Sequence, residues 1–123
     1  MKNRELIAKW LEVFAKDVDT KLINTRVTAK CNYLWHIFTW GKVSCLEGDE
    51  ARKAFNDLQY AEARLFYDGY SNRISGVRDV EKLTAQNVDE DSGRDVYLVA
   101  KDFSWTYVRT HEPGLGPYLC VIE

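Results

Sequence analysis

Apolar residues at Leu6, Ile7, Trp10, Leu11, Phe14 and Val18 recur at helical spacing, which predicts an amphipathic helix over residues 4–18. Asn3 reads as its N-cap, and Glu5 with Lys9 and Glu12 with Lys16 form i,i+4 pairs on the wet side. Residues 20–28 show poor alternation and stay ambiguous between extended chain and loop. Thr28 then opens a second predicted helix over 29–39, with Cys31, Leu34, Trp35 and Phe38 on one face and Tyr33, Ile37 and Trp40 adding apolar mass on another. A helix apolar on most sides belongs in the interior. Gly41 reads as its C-terminal cap, and Lys42–Leu46 as a crossover.

Gly48-Asp49 opens a third helix over 50–58, whose buried stripe is Ala51, Ala54, Phe55 and Leu58. ARLFYD (63–68) alternates as a strand and ends at Asp68-Gly69. A polar stretch, Ser71–Gly76, leads to a fourth predicted helix over 78–86, with Val80 and Leu83 inward. The acidic run Asp89, Glu90, Asp91 and Asp95 reads as a solvated loop. VYLVAK (96–101) and WTYVRTH (105–111) are β-rich, and their short link predicts an antiparallel hairpin. Glu112-Pro113-Gly114 and Gly116-Pro117 turn the chain into a last strand, YLCVI (118–122). The order predicts an α+β fold, with N-terminal helices packed on one face of a small antiparallel β-sheet formed mainly by the C-terminal half. No repeat or linker divides residues 1–123, so a single domain is expected.

Composition agrees with that size of core. The 123 residues are 46% hydrophobic and 29% charged, with 13% aromatic residues and a net charge of −2, which excludes disorder and low-complexity classes. The first residues, MKNRELIAKWLEVFAK, are too charged for a signal-peptide core, and no apolar run approaches the ~20 residues that cross a bilayer. Three cysteines without a CxxC pair suit reduced thiols in the cytoplasm better than a disulfide framework. The charge is uneven: residues 1–46 carry a formal +4 and residues 47–123 a formal −6. This balance disfavours nucleic acid and leaves a basic protein as the partner that charge would select.

Candidate chemistry is sparse. His36 sits among aromatics in YLWHIFTW, and Cys45 is the nearest downstream nucleophile, but nothing local orients that pair. Cys31, His36, Cys45 and Cys120 stand 5, 9 and 75 residues apart, which is not zinc spacing, so no metal and no cofactor are expected. Trp105, Tyr107, Arg109 and His111 alternate along one strand and share a face; Trp, Tyr and Arg are the residues of interface hot spots. His111-Glu112 is an acid/base pair only if a turn brings two adjacent residues to one side.

Three stretches carry a resemblance: Leu34-Trp35-His36-x-Phe38-x-Trp40; Cys45-Leu46-Glu47-Gly48-x-Glu50-Ala51-Arg52-x-Ala54-Phe55; and Trp105-Thr106-Tyr107-Val108-x-Thr110-His111-Glu112 with Gly116-Pro117-Tyr118. Together they resemble a family of small uncharacterised proteins, of about this length, found mainly in Gram-positive bacteria. The resemblance implies a bacterial, stand-alone, single-domain protein and transfers no catalytic residues. The leading functional expectation is a cytoplasmic binding protein, of the immunity type that blocks a basic toxin-like partner. It would use Asp89, Glu90, Asp91, Asp95, Trp105, Tyr107, Arg109 and His111. The alternatives are a small-ligand module with a polar cleft at His36 and Glu112, a homo-oligomeric regulatory protein, and a small enzyme built on His36, His111 and Glu112.

Overall fold

A computed structural model describes residues 2–19, 33–40, 43–69 and 73–122. Its centre is a six-stranded sheet, antiparallel at every pairing. The strands are β1 (Leu46–Glu47), β2 (Glu62–Asp68), β3 (Ile74–Glu81), β4 (Val96–Ala100), β5 (Trp105–Arg109) and β6 (Tyr118–Val121), and they lie in the order β1-β6-β5-β4-β2-β3. The helices are α1 (Asn3–Phe14), a 3-10 helix (Leu34–Thr39), α2 (Asp49–Asp57) and α3 (Ala85–Asp89).

The expected class, α+β with the N-terminal helices on one sheet face, is what the structure shows. Leu6, Ile7, Trp10 and Phe14 of α1, with Leu34, Trp35, Ile37 and Phe38 of the 3-10 helix, pack on Phe66, Tyr97, Val99, Val108, Tyr118 and Cys120. The sheet's second face is covered as well. There Ala51 and Phe55 of α2 and Ala85 and Val88 of α3 pack on Leu65, Val96, Leu98, Trp105, Tyr107 and Leu119. Burial on both faces explains why VYLVA is a continuous apolar run: all five residues of β4 are buried.

Several element boundaries move. Lys2, not Asn3, caps α1; Asn3 is helical and its side-chain amide donates to the Ile74 carbonyl at 3.3 Å. Of the helix expected over 29–39, the described part is the 3-10 turn at 34–39, while Thr28 to Cys31 and the Gly41 cap lie outside the described residues. The helix expected over 78–86 is instead the end of β3, and the real helix begins after Thr84. Thr84 and Asn87 close a reciprocal capping box there. β3 misleads because it is an edge strand whose residues, apart from Ile74, are exposed or half-buried, so it carries no core-facing alternation. Its Gly76 has φ +65° and lies under the Tyr67 ring, where a Cβ would come within 2.7 Å.

Trp10 locks α1 to the sheet. It is fully buried, and its rings lie 5.4 Å from Tyr97 and 5.7 Å from both Phe14 and Phe38. Its Nε1–H donates to Thr106 Oγ1 at 3.0 Å, and the Thr106 hydroxyl in turn donates to the Leu98 carbonyl at 2.7 Å. Trp10→Ala is therefore expected to lower unfolding free energy by about 3–5 kcal/mol, measured by urea denaturation. A midpoint equal to that of the parent would refute this docking.

Candidate functional site

Two carboxylates are buried at one end of the sheet, at the close of β2 and just before β4. Asp68 is 8% and Asp95 1% exposed. The Asp68 amide donates to the Asp95 carbonyl at 3.1 Å, so the two side chains start from adjacent points of paired strands. Asp68 Oδ2 accepts from the Leu34 amide at 2.8 Å and from the Tyr97 hydroxyl at 2.7 Å, tying the 3-10 helix to the sheet. Burial first, and then the Asp68 charge, pushes the Tyr97 phenol well above its ordinary range, so it stays a donor.

Asp95 serves the other direction. Its Oδ1 accepts from the His111 amide at 2.8 Å and lies 2.9 Å from His111 Nδ1; Oδ2 lies 3.1 Å from the same nitrogen. β5 has already ended at Arg109, so His111 and Glu112 occupy a turn in which the Thr110 hydroxyl donates to the Glu112 and Leu115 carbonyls. That turn is what lets adjacent residues meet, with His111 Nε2 lying 3.2 Å from Glu112 Oε1. With Nδ1–H committed to Asp95, the Glu112 contact is attractive only when the ring carries both protons.

The 3-10 helix supplies the cover. The Tyr33 ring centre lies 4.9 Å from that of His111, Trp35 lies 6.0 Å from it, and His36 stacks on Trp35 at 4.1 Å. Burial, followed by the nearby His111, lowers the His36 pKa below 6.5, while Asp95 and Glu112 oppose the shift. The expected polar pair His36 and Glu112 thus belongs to one cluster with His111. Asp68, Tyr33 and Trp35 join it. The sequence read Asp68 only as a strand terminator, and no pattern there marked its side chain as buried.

The other expected site residues are dispersed. Trp105 (6% exposed) and Tyr107 (0%) lie in the core, and Tyr107 stacks on Phe55 at 4.0 Å and 9°. They face α2 and cannot serve as exposed anchors. Arg109 lies on the same face and points into the acidic run. It donates to the carbonyls of Val88, Asp89, Asp91 and Gly93 and so fixes the chain that leaves α3. The run is not a uniform solvated loop. Asp95 is buried, Asp91 accepts from the Tyr67 hydroxyl at 3.0 Å and the Gly93 amide at 2.7 Å, and Asp89 and Glu90 remain exposed. Asp89 meets Arg52 at 3.2 Å, and Glu90 accepts from Gln86 at 3.0 Å. Among the described residues no group of three or more His, Cys, Asp or Glu side chains has metal-site geometry.

These features describe a small α+β protein with a two-sided core and a polar cluster at one end of its sheet. The sequence model of a family described as a domain of unknown function (DUF4275) matches residues 4–119, and the chain belongs to that family. No curated protein and no solved structure matches it. No helix among the described residues is long and apolar enough to cross a membrane.

The lowered His36 pKa sets a direction for acid sensitivity. Between that value and 6.5 the unfolded chain binds more protons than the folded one, so stability falls as pH drops through 6.5. His36→Asn is expected to lessen the loss in urea midpoint between about pH 7.5 and about pH 5.5. An identical loss in parent and variant would assign the acid sensitivity to other groups.

Proposed function

We propose that this protein is a binding module that presents an acidic surface with an apolar anchor to a basic protein partner. An immunity-type inhibitor of a cognate toxin is the specific form of this reading, acting in a bacterial cytoplasm. The observation that carries it is the pair of contacts made by Arg52. Its Nη1 lies 2.9 Å from Asp49 and its Nε 3.2 Å from Asp89, so the start of α2 and the end of α3 share one surface. Asp49, Glu50, Asp89 and Glu90 are all exposed, and Arg52 bridges two of them, Asp49 and Asp89. Arg109 holds the Val88 and Asp89 carbonyls, so the backbone under Asp89 and Glu90 is ordered before a partner arrives, which lowers the cost of binding.

With Trp105 and Tyr107 buried, the anchor falls to Leu46 and Val121, which are large apolar side chains exposed by 40% and 53%. Leu46 is paired with Leu119 and Val121 with Trp105, so both are carried on the α2 side of the sheet. An apolar spot rimmed by charge is the usual anatomy of a docking surface.

A second reading, a small-ligand site or a small enzyme, draws on Asp95, His111, Glu112 and His36. A histidine oriented through Nδ1 by a buried carboxylate is the arrangement that general-base chemistry uses. Here Glu112 Oε1 lies 3.2 Å from the other ring nitrogen, in the place a reacting proton would need, and that placement supports the binding reading instead.

The test is capture of a partner from the native host, followed by binding kinetics. Asp49→Asn, Glu50→Gln and Glu90→Gln together are expected to slow association by about tenfold and to flatten its salt dependence. Leu46→Ala is expected to act on dissociation instead. Unchanged kinetics in both variants would remove this surface as the docking site.

A further inference from the structure

Cys45 and Cys120 stand far apart in sequence and close in the fold. β1 pairs with β6 through Leu46↔Leu119 and Glu47↔Tyr118, and extending that register by one residue sets Cys45 opposite Cys120. The Gly48 amide donates to the Pro117 carbonyl at 2.8 Å, which marks their pair as hydrogen-bonded; alternation then makes Cys45 and Cys120 a non-hydrogen-bonded pair. The far side of β6 agrees, because the Ile122 amide donates to the Ser104 carbonyl at 2.8 Å, so the polar backbone groups of Cys120 turn towards Thr106 of β5 and away from β1. Non-hydrogen-bonded pairs bring Cα atoms to about 4.5 Å, inside the roughly 4.4–6.8 Å range that a disulfide spans.

The two thiols are free, with Cys45 half-buried and Cys120 buried. They differ in chemistry. The Cys120 S–H beside it lowers the Cys45 pKa, while that same neighbour and burial push Cys120 upward. A cavity of about 330 Å³ opens against Cys120, walled by Phe14, Val43, Ser44 and Ile122, and half-burial leaves Cys45 within reach of an oxidant from solvent.

We propose that Cys45 and Cys120 form a reversible dithiol–disulfide couple, with Cys45 as the attacking sulfur and Cys120 as the resolving one. The oxidant is a peroxide. The Cys45 thiolate attacks one peroxide oxygen, the O–O bond breaks, and Cys45 becomes a sulfenic acid as the other oxygen leaves as hydroxide, which takes the proton the Cys45 thiol released and becomes water. The Cys120 sulfur then attacks the Cys45 sulfur, the S–O bond breaks, and the hydroxyl leaves as a second water with the Cys120 proton. Two thiols lose two electrons and two protons, and one peroxide becomes two waters. A small-molecule thiol returns the pair to the reduced state by exchange. The disulfide would staple the two-residue β1 to β6.

The test uses the full chain carrying Cys31→Ser, so that only this pair remains. After treatment with hydrogen peroxide, the intact mass is expected to fall by two hydrogens, and non-reducing peptide mapping to join the segments holding Cys45 and Cys120. The reduced chain is expected to bind one equivalent of phenylarsine oxide, which needs two adjacent thiols, and to lose that binding in a further Cys45→Ser change. Cys45 is half-buried, so this variant keeps its fold where a change at buried Cys120 endangers it; circular dichroism checks the point. A mass gain of one or more oxygens with no cross-link, or a cross-link between two chains, overturns the proposal. So does a disulfide to Cys31 in the unaltered chain.

Discussion

A carboxylate with 1% of its surface exposed has to be compensated where it stands, and Asp95 is the group around which one end of this protein is arranged. Among the described residues its donors are the His111 ring and the His111 amide, not a lysine or arginine. That requirement fixes the turn after β5, because His111 can reach Asp95 only once the strand has stopped at Arg109. The turn in turn places Glu112 on the far side of the ring, and Tyr33 and Trp35 close over it. Next door, Asp68 accepts from the Leu34 amide and the Tyr97 hydroxyl. Both buried charges therefore work as joints. One ties the N-terminal layer to the strands, and the other ties the last turn to them.

The strands with most core contact were the legible ones. β4, β5 and β6, which carry β-branched and aromatic residues, and β2, which alternates, fall close to their expected limits. β3 was unreadable for a physical reason: it lies at the sheet edge with only Ile74 buried, so its side chains carry no pattern, and its pairing comes from β2. β1 was hidden by its length of two residues. The cover on the second sheet face was written in the absence of alternation along β4. A half-solvated strand would have needed a polar residue at every second place.

The site was legible by residue type and not by role. His36, His111 and Glu112 stood out because there are only two histidines and one lies beside a carboxylate, and the fold does bring them together. Asp95 was grouped with Asp89, Glu90 and Asp91 by proximity in sequence, yet burial separates it from them. Trp105 and Tyr107 illustrate the same limit. Strand alternation placed them correctly on one face, but only the packing of Phe55 decides that this face is the interior. Cys45 and Cys120 carry no local signal at all, since their closeness depends on the register of the shortest strand.

The two edges of the sheet are protected by different means, and this bears on where a partner can dock. Along β3 the edge is charged and irregular: the pairing with β2 shifts between Leu65 and Tyr67, and Asp79 is bridged by Lys101 at 2.9 Å and by Arg64 at 3.7 Å. A bulged edge rich in charge is a poor template for a further strand. β1 offers two residues, too few for extended pairing, and its exposed leucine points to the α2 side rather than along the edge. Strand addition is therefore disfavoured at both ends. A docking surface of the kind proposed would therefore have to be built from side chains on the faces, such as the exposed Asp89 and Leu46, and not from a free strand edge.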